Sequence, residues 1–79
     1  QGEADLAASA FSGLSMVHNR AGHIDLAMAS LGQARILAEE AGDALLQSRI
    51  INNIGTSFFS NGDFDAALVS FREALEFNR

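Results

Sequence analysis

The chain contains no cysteine, proline, tryptophan or tyrosine. Without cysteine it cannot form a disulfide framework, a zinc site with thiolate ligands or a cysteine nucleophile. Without proline, and with fourteen alanines, the sequence favours helices, because alanine has the lowest free-energy cost in a helix and proline the highest. Strand signals are also missing, since no sustained alternation of apolar and polar residues occurs. We therefore predict an all-α fold.

Positive charge is scarce as well. The chain has no lysine and five arginines against ten acidic residues, so its formal net charge is −5. Phosphate neutralisation favours a basic face, and we therefore expect no nucleic-acid partner. No apolar run approaches the roughly 18 residues of a membrane-spanning helix, and no basic-then-apolar start indicates a signal peptide. We expect no membrane partner and a cytoplasmic location.

Glycine divides the 79 residues, enough for one small domain, into four helical blocks. The first block ends at Gly22, the second at Gly42 and the third at Asn61-Gly62. Asp43 and Asp63 follow the last two glycines and are predicted N-caps of the third and fourth helices. Because the turns contain only a few residues, successive helices are expected to be antiparallel neighbours.

The second half of the chain repeats the first at a constant offset. The segment 21–27 aligns with 61–67, so that Gly22 matches Gly62 at an offset of 40 residues. Five further pairs at this offset are apolar or small in both copies: Phe11/Ile51, Leu14/Ile54, Leu31/Phe71, Ala34/Ala74 and Leu37/Phe77. Unrelated helices would not share one offset. We therefore divide the single domain, 1–79, into repeat 1 (3–42) and repeat 2 (43–79).

Repeat 2 resembles a tetratricopeptide repeat from Ser48 to Arg79. The family pattern has a large apolar residue, a Leu-Gly pair and an aromatic residue, then alanine, aromatic and alanine at set intervals. These places are held by Ile51, Ile54-Gly55, Phe58, Ala67, Phe71 and Ala74, with Gly62-Asp63-Phe64 as the turn.

Repeat 1 follows the same pattern less closely. Ala27, Leu31 and Ala34 fit it, whereas Ser15 replaces the small glycine and His18 replaces the aromatic residue. The family's closing proline is absent from both repeats. The period of 40 exceeds the usual period of about 34. The chain is therefore similar to the long-period repeats of kinesin light chains, Pins-type adaptors and many bacterial regulators.

This resemblance implies two stacked helix-turn-helix hairpins, with four antiparallel helices, as part of a right-handed α-solenoid. It also implies that small residues allow close helix crossings and that aromatic side chains fill the space around them. These packing residues are Gly55, Ala67, Ala74, Ala27, Ala34, Phe58 and Phe71, with Ala74 placed against a following repeat. Proteins of such families act mostly as scaffolds whose concave groove binds a peptide or a partner helix.

Arg49 and Asn53 are the strongest candidates for ligand contacts. They lie four residues apart, hence on one face of the third helix. In the similar families an asparagine at the place of Asn53 bonds peptide main chain, and an arginine at the place of Arg49 binds acidic side chains. The alternative is an exposed arginine and an asparagine satisfied by a neighbouring helix. Repeat 1 has Ser9 and Gly13 at these places and therefore offers no second arginine–asparagine pair for ligand contacts.

Further residues are expected on the same inner face: Asn52, Thr56, Phe59, Ser60, Met16, Asn19 and Arg20. Phe59 lies off the core stripe of its helix, so it either anchors a partner or packs against an adjacent repeat. We expect a scaffold that binds a protein or peptide of acidic character. The alternatives are an oligomerisation element and a sensory segment of a larger regulatory protein.

Nothing in the sequence indicates catalysis, a cofactor or a metal. His18 takes a core place, and His23 lies in a turn at the wrong angle for shared ligation. The segment 61–65 lacks the spacing and the bidentate glutamate of a calcium loop. No Ser/His/Asp order or phosphate-binding loop stands out, and we predict a non-enzyme without cofactors.

Both ends of the helical array carry apolar residues without a predicted neighbour. The fourth helix presents Phe71, Leu75 and Phe77, and the first helix begins with alanine and leucine as though another repeat preceded it. Arrays of this kind need about three repeats for stability. Either the chain is a piece of a longer array or a second copy completes its core. Both alternatives predict self-association, because exposed apolar area favours it.

Overall fold

The computed structural model describes residues 2–77 and contains four helices in this range. They are α1 (Gly2–Arg20), α2 (Ile24–Ala41), α3 (Ala44–Ser60) and α4 (Phe64–Phe77). No strand forms between residues 2 and 77, which confirms the predicted all-α fold. None of the described helices combines the length and the hydropathy needed to cross a bilayer. The last two positions of the predicted repeat 2, including Arg79, lie outside the described residues.

The turns of the two hairpins share the same hydrogen bonds, 40 residues apart. The Gly22 N–H donates to Asn19 O at 3.1 Å, and the Gly62 N–H donates to Phe59 O at 3.0 Å. Both glycines are left-handed, with φ of 83° and 85°, a conformation that only glycine adopts without strain. Two more pairs of equivalent bonds join His23 to His18 and Asp63 to Phe58, and Ala21 to Val17 and Asn61 to Ser57.

The two predicted N-caps behave differently. Asp43 Oδ1 accepts a hydrogen bond from the Leu46 N–H at 3.0 Å, which confirms it as the cap of α3. Asp63 does not repeat this arrangement: its Oδ2 accepts instead from Asn61 Nδ2 at 2.9 Å, within the turn. The side-chain amide of Asn61 therefore takes the place that a backbone N–H in the first turn of α4 would have as donor to this carboxylate.

The hairpins stack because α3 packs against both α1 and α2. Leu31 of α2 and Ile50 of α3 are fully buried in one apolar cluster. Burying a side chain of this size contributes roughly 1.5–3 kcal/mol. The other buried members of the cluster are Ala8, Ala34, Ala38 and Leu46. The core therefore lies at the junction between the hairpins as well as inside them, as stacked repeats require.

The stack is curved. Helices α1 and α3 approach each other, whereas no Cα atoms of α2 and α4 lie within 8 Å of each other among the described residues. Helices α2 and α4, which we call the outer helices, meet through side chains, with Arg35 Nη2 2.6 Å from Glu73 Oε2. Since the first helices are close and the second helices are apart, α1 and α3 form the concave side.

The small residues assigned to packing positions are all buried. Gly55 lies against the Phe71 ring, and Ala27 and Ala67 are buried in the two hairpins. Ala34 is buried in the junction cluster. Ala74, expected to pack against a following repeat, is already buried in its own hairpin, where Ser48 Oγ donates to its carbonyl oxygen at 3.2 Å. Phe58 and Phe71 are half-buried.

Candidate functional site

Two adjoining depressions, of about 240 and 390 Å³, follow the seam between α1 and α3. Met16 and Asn53 line both of them, so the two form one elongated surface, which we call the concave groove. The remaining lining residues are Ser15, Asn19, Arg20, Thr56 and Ser57 at one end, and Ser9, Ser12, Leu46, Arg49 and Asn52 at the other.

Most of the inner-face residues predicted from the sequence meet in this groove. Those that line it are Arg49, Asn53, Asn52, Thr56, Met16, Asn19 and Arg20. Phe59 and Ser60 do not line it. Phe59 is exposed, and its ring packs edge-on against Phe64, with 5.2 Å between ring centroids and 63° between planes. Its nearest aromatic partner is therefore the first residue of the following helix, inside its own hairpin.

Asn53 is held by the neighbouring helix. Its Nδ2 donates to Ser12 Oγ at 2.8 Å, across the seam from α3 to α1. An asparagine amide has two N–H groups and one carbonyl oxygen, and this bond uses a single N–H. Among the described residues, the second N–H and Oδ1 have no hydrogen-bond partner. The amide is thus oriented by the fold and keeps one donor and one acceptor.

Asn19 provides a second unsatisfied acceptor at the other end of the groove. Its Oδ1 atom is buried and has no hydrogen-bond partner among the described residues. Leaving such an atom unpaired costs about 1–3 kcal/mol. Thr56 differs, because its Oγ1 donates to Asn52 O at 3.1 Å within α3.

A family model described as the tetratricopeptide repeat matches residues 6–79. The chain belongs to the tetratricopeptide-repeat family. The match covers nearly all of both hairpins. The fold of this family is a non-enzymatic scaffold, and its members generally bind proteins or peptides. Comparison with the curated proteins and with the solved structures finds no match in either set. The long-period subclass of TPR stays a prediction.

Charge is distributed unevenly between the two sides of this TPR stack. Helices α2 and α4 carry six acidic residues and two arginines, whereas α1 and α3 carry two of each. The only charged residue of α3 is Arg49, which lines the concave groove with Arg20 of α1. Ion pairs among residues 2–77 involve Arg35 on the outer side, and neither Arg20 nor Arg49 forms one.

The histidines do not assemble a metal centre. The rings of His18 and His23 lie 6.3 Å apart between centroids, tilted by 46°. No group of three or more histidine, aspartate or glutamate residues in the described range could hold a metal ion.

Sequence reasoning missed Ser12, which orients Asn53. Ser12 is the counterpart of Asn52 at the offset of 40, and Asn52 was already assigned to the inner face. The repeat offset is therefore the signal in the sequence that points to Ser12. Its hydrogen bond to Asn53 depends on how α1 and α3 are placed side by side, which local periodicity does not specify.

Proposed function

We propose that this TPR chain is a scaffold that binds an acidic protein segment, as an extended peptide or a partner helix, in the concave groove. The observation that carries the proposal is the pair of arginines in the groove of a chain with net charge −5. Both lie on α1 and α3, which taken together carry no acidic excess. Binding, not catalysis, is the proposed activity.

The two polar residue types have separate roles in this proposal. Arg49 offers a planar guanidinium that fits a carboxylate with two parallel hydrogen bonds. Asn53 offers a carbonyl oxygen and an N–H, which suit the alternating donors and acceptors of a peptide main chain. Because Ser12 already fixes the Asn53 amide, binding loses less side-chain entropy than it would with a free rotamer.

Asn19 extends the same recognition toward the C-terminal end of α1. Rotation of the Asn19 side chain would bring its Oδ1, buried and unpaired in the free chain, to a main-chain N–H of the bound segment and remove its desolvation penalty. Arg20, beside it in the same depression, would contact a second acidic side chain. Recognition along the groove would then combine two carboxylate contacts with two main-chain contacts.

Three fluorescently labelled peptides of equal length test the proposal: one rich in glutamate, one with glutamine in its place and one with lysine. Fluorescence anisotropy is measured against the wild-type chain. We expect the glutamate peptide to bind most tightly, and Arg49→Ala to weaken it about five- to tenfold, equivalent to roughly 1–1.4 kcal/mol. The matched control is Arg72→Ala, since Arg72 is exposed on the outer helix α4.

Two further results separate the alternatives. Ser12→Ala should weaken binding by freeing the Asn53 amide, although Ser12 itself contributes no charge. Equal affinity for the glutamate and glutamine peptides would refute acidic recognition. Equal effects of Arg49→Ala and Arg72→Ala would show that net charge, not the groove, determines binding.

A further inference from the structure

One face of α1 is the counterpart of the α3 face that forms the junction between hairpins. On α3, Leu46 and Ile50 are buried in the junction, with exposed fractions of 8% and 0%. Forty residues earlier, Leu6 and Ala10 hold the same places on α1 and are exposed, Leu6 by 73%. We call this surface the α1 outer face; its members are Leu6, Ala10, Gly13, Leu14 and Val17.

The opposite end of the stack has the complementary feature. A depression of about 420 Å³ lies between α3 and α4, and we call it the α3/α4 groove. Its lining includes Ser48, Asn52, Phe71 and Ala74, together with Leu45, Leu75 and Arg49, which also lines the concave groove. The first four are the counterparts, at the offset of 40, of Ala8, Ser12, Leu31 and Ala34. Those counterparts lie on α1 and α2, the two helices against which α3 packs.

We propose that a second copy of this chain inserts its α1 outer face into the α3/α4 groove. The contact would reproduce between copies the junction that α3 makes with α1 and α2 inside one copy. This proposal goes beyond peptide binding and does not depend on it, although Arg49 and Asn52 line both the concave groove and the α3/α4 groove and would contact either occupant.

The side chains on the two surfaces are matched in size. In the internal junction, Ile50 of α3 and Leu31 of α2 share the buried cluster. In the junction between copies, Ala10 would meet Phe71, and this pair has the same total number of side-chain carbons as isoleucine plus leucine. The smaller residue on the inserted helix is therefore compensated by a larger one in the groove, which close packing requires.

A second pair of positions shows the same exchange. In the internal junction Asn53 of α3 reaches Ser12 of α1. Between copies, Gly13 would stand opposite Asn52, so the asparagine moves from the inserted helix to the groove. Two surfaces that merely lacked neighbours would not be expected to compensate each other at both positions. A second copy of the chain would supply both matched pairs, Ala10 with Phe71 and Gly13 with Asn52.

The junction between copies would lack the ion pair of the internal one, and its groove carries Arg49 where α1 has Ser9. Inside the chain, Arg35 Nη2 lies 2.6 Å from Glu73 Oε2. The counterparts between copies are Leu75 and Gln33, which cannot form an ion pair. Association driven by apolar burial is not weakened by salt, and excluded salts such as sulfate strengthen it. Since a pair of copies would keep one free α1 outer face and one free α3/α4 groove, the contact is head-to-tail and does not close.

Complementary blocked variants test this arrangement. Leu6→Glu places a charge on the α1 outer face, and Leu75→Glu places one in the α3/α4 groove. Both residues are exposed, Leu75 by 66%, so neither change removes core packing. The control is Val69→Glu, an equally charged change at an exposed position of α4 that does not line the groove. Circular dichroism verifies that each variant is helical.

Sedimentation velocity over a concentration series gives the readout. We expect the wild type and Val69→Glu to form a series of oligomers that grows with concentration, and each blocked variant alone to stay monomeric. An equimolar mixture of Leu6→Glu and Leu75→Glu should form a dimer and nothing larger, because each variant retains the face that the other has lost.

Three outcomes would overturn the proposal. If the wild-type chain stayed monomeric at every concentration, a second copy would not be what covers the α1 outer face and the α3/α4 groove. Dimers of Leu6→Glu alone, or of Leu75→Glu alone, would indicate a symmetric contact between identical faces. A mixture that stays monomeric would show that the two faces do not recognise each other.

Discussion

Gly55 and Phe71 approach so closely that a Cβ atom on Gly55 would lie 2.7 Å from Phe71 Cε1. This contact brings α3 against α4 inside the second hairpin. Gly32 is also a mid-helix glycine, yet a Cβ atom built on it meets nothing within 4 Å. The two glycines therefore have opposite consequences, since one makes room for a ring and the other only weakens its helix.

Gly55→Ala should lower the free energy of unfolding. A methyl group at this distance forces the Phe71 ring to move, and overpacking of this kind typically costs about 1–3 kcal/mol. The gain in helix propensity, roughly 0.5–1 kcal/mol, offsets only part of that loss. Gly32→Ala receives the same gain without the clash and should raise the stability. Urea unfolding followed by circular dichroism measures both variants.

A second substitution separates the ring contact from other effects. In the Phe71→Leu background the methyl group of Gly55→Ala has more room, so its cost should shrink and the two changes should not be additive. If Gly55→Ala and Gly32→Ala stabilised the chain equally, the close approach would have no energetic consequence.

Sequence predicted the local features of this fold well, because the determining chemistry lies within a few residues. Gly22 and Gly62 mark the turns, since both are left-handed, a conformation in which glycine commonly ends a helix. Asp43 caps α3 for a similarly local reason. The constant offset then predicted two equivalent hairpins, and the turn hydrogen bonds repeat at that offset.

Contacts that depend on the placement of two helices were harder to predict. The bond from Asn53 to Ser12 joins residues 41 positions apart, and its existence requires the α1–α3 spacing that packing alone determines. Phe59 lies off the core stripe as predicted, but its ring pairs with Phe64 instead of lining the groove. The periodicity of one helix identifies which residues share a face, and it does not identify what that face meets.

The two aspartates at helix starts give a second stability prediction. Asp43→Ala should cost about 1 kcal/mol, because it removes the acceptor of the Leu46 N–H at 3.0 Å. Asp43→Asn keeps a side-chain oxygen there and should retain most of that stability. Asp63→Ala should cost less than Asp43→Ala, since Asp63 bonds to the exposed Asn61 side chain. Equal losses at the two positions would show that Asp63 also caps its helix.

The ion pair between Arg35 and Glu73 provides the third stability prediction. Both side chains are partly exposed, by 36% and 40%, so the pair should contribute less than about 1 kcal/mol despite the 2.6 Å contact. Glu73→Gln also removes one negative charge from a chain of net charge −5, which by itself relieves repulsion. The control is therefore Glu76→Gln, which makes the same charge change on α4 at an exposed residue without a described ion pair.

The difference between these two variants isolates the ion pair. We expect Glu73→Gln to be less stable than Glu76→Gln in urea at low salt, and the difference to shrink near 1 M sodium chloride, where the Debye length is about 3 Å. Urea is required because guanidinium chloride would itself screen the pair. A difference that persisted at high salt would indicate that Glu73 stabilises the junction by packing, and α2 and α4 would then be joined by side-chain contact more than by charge.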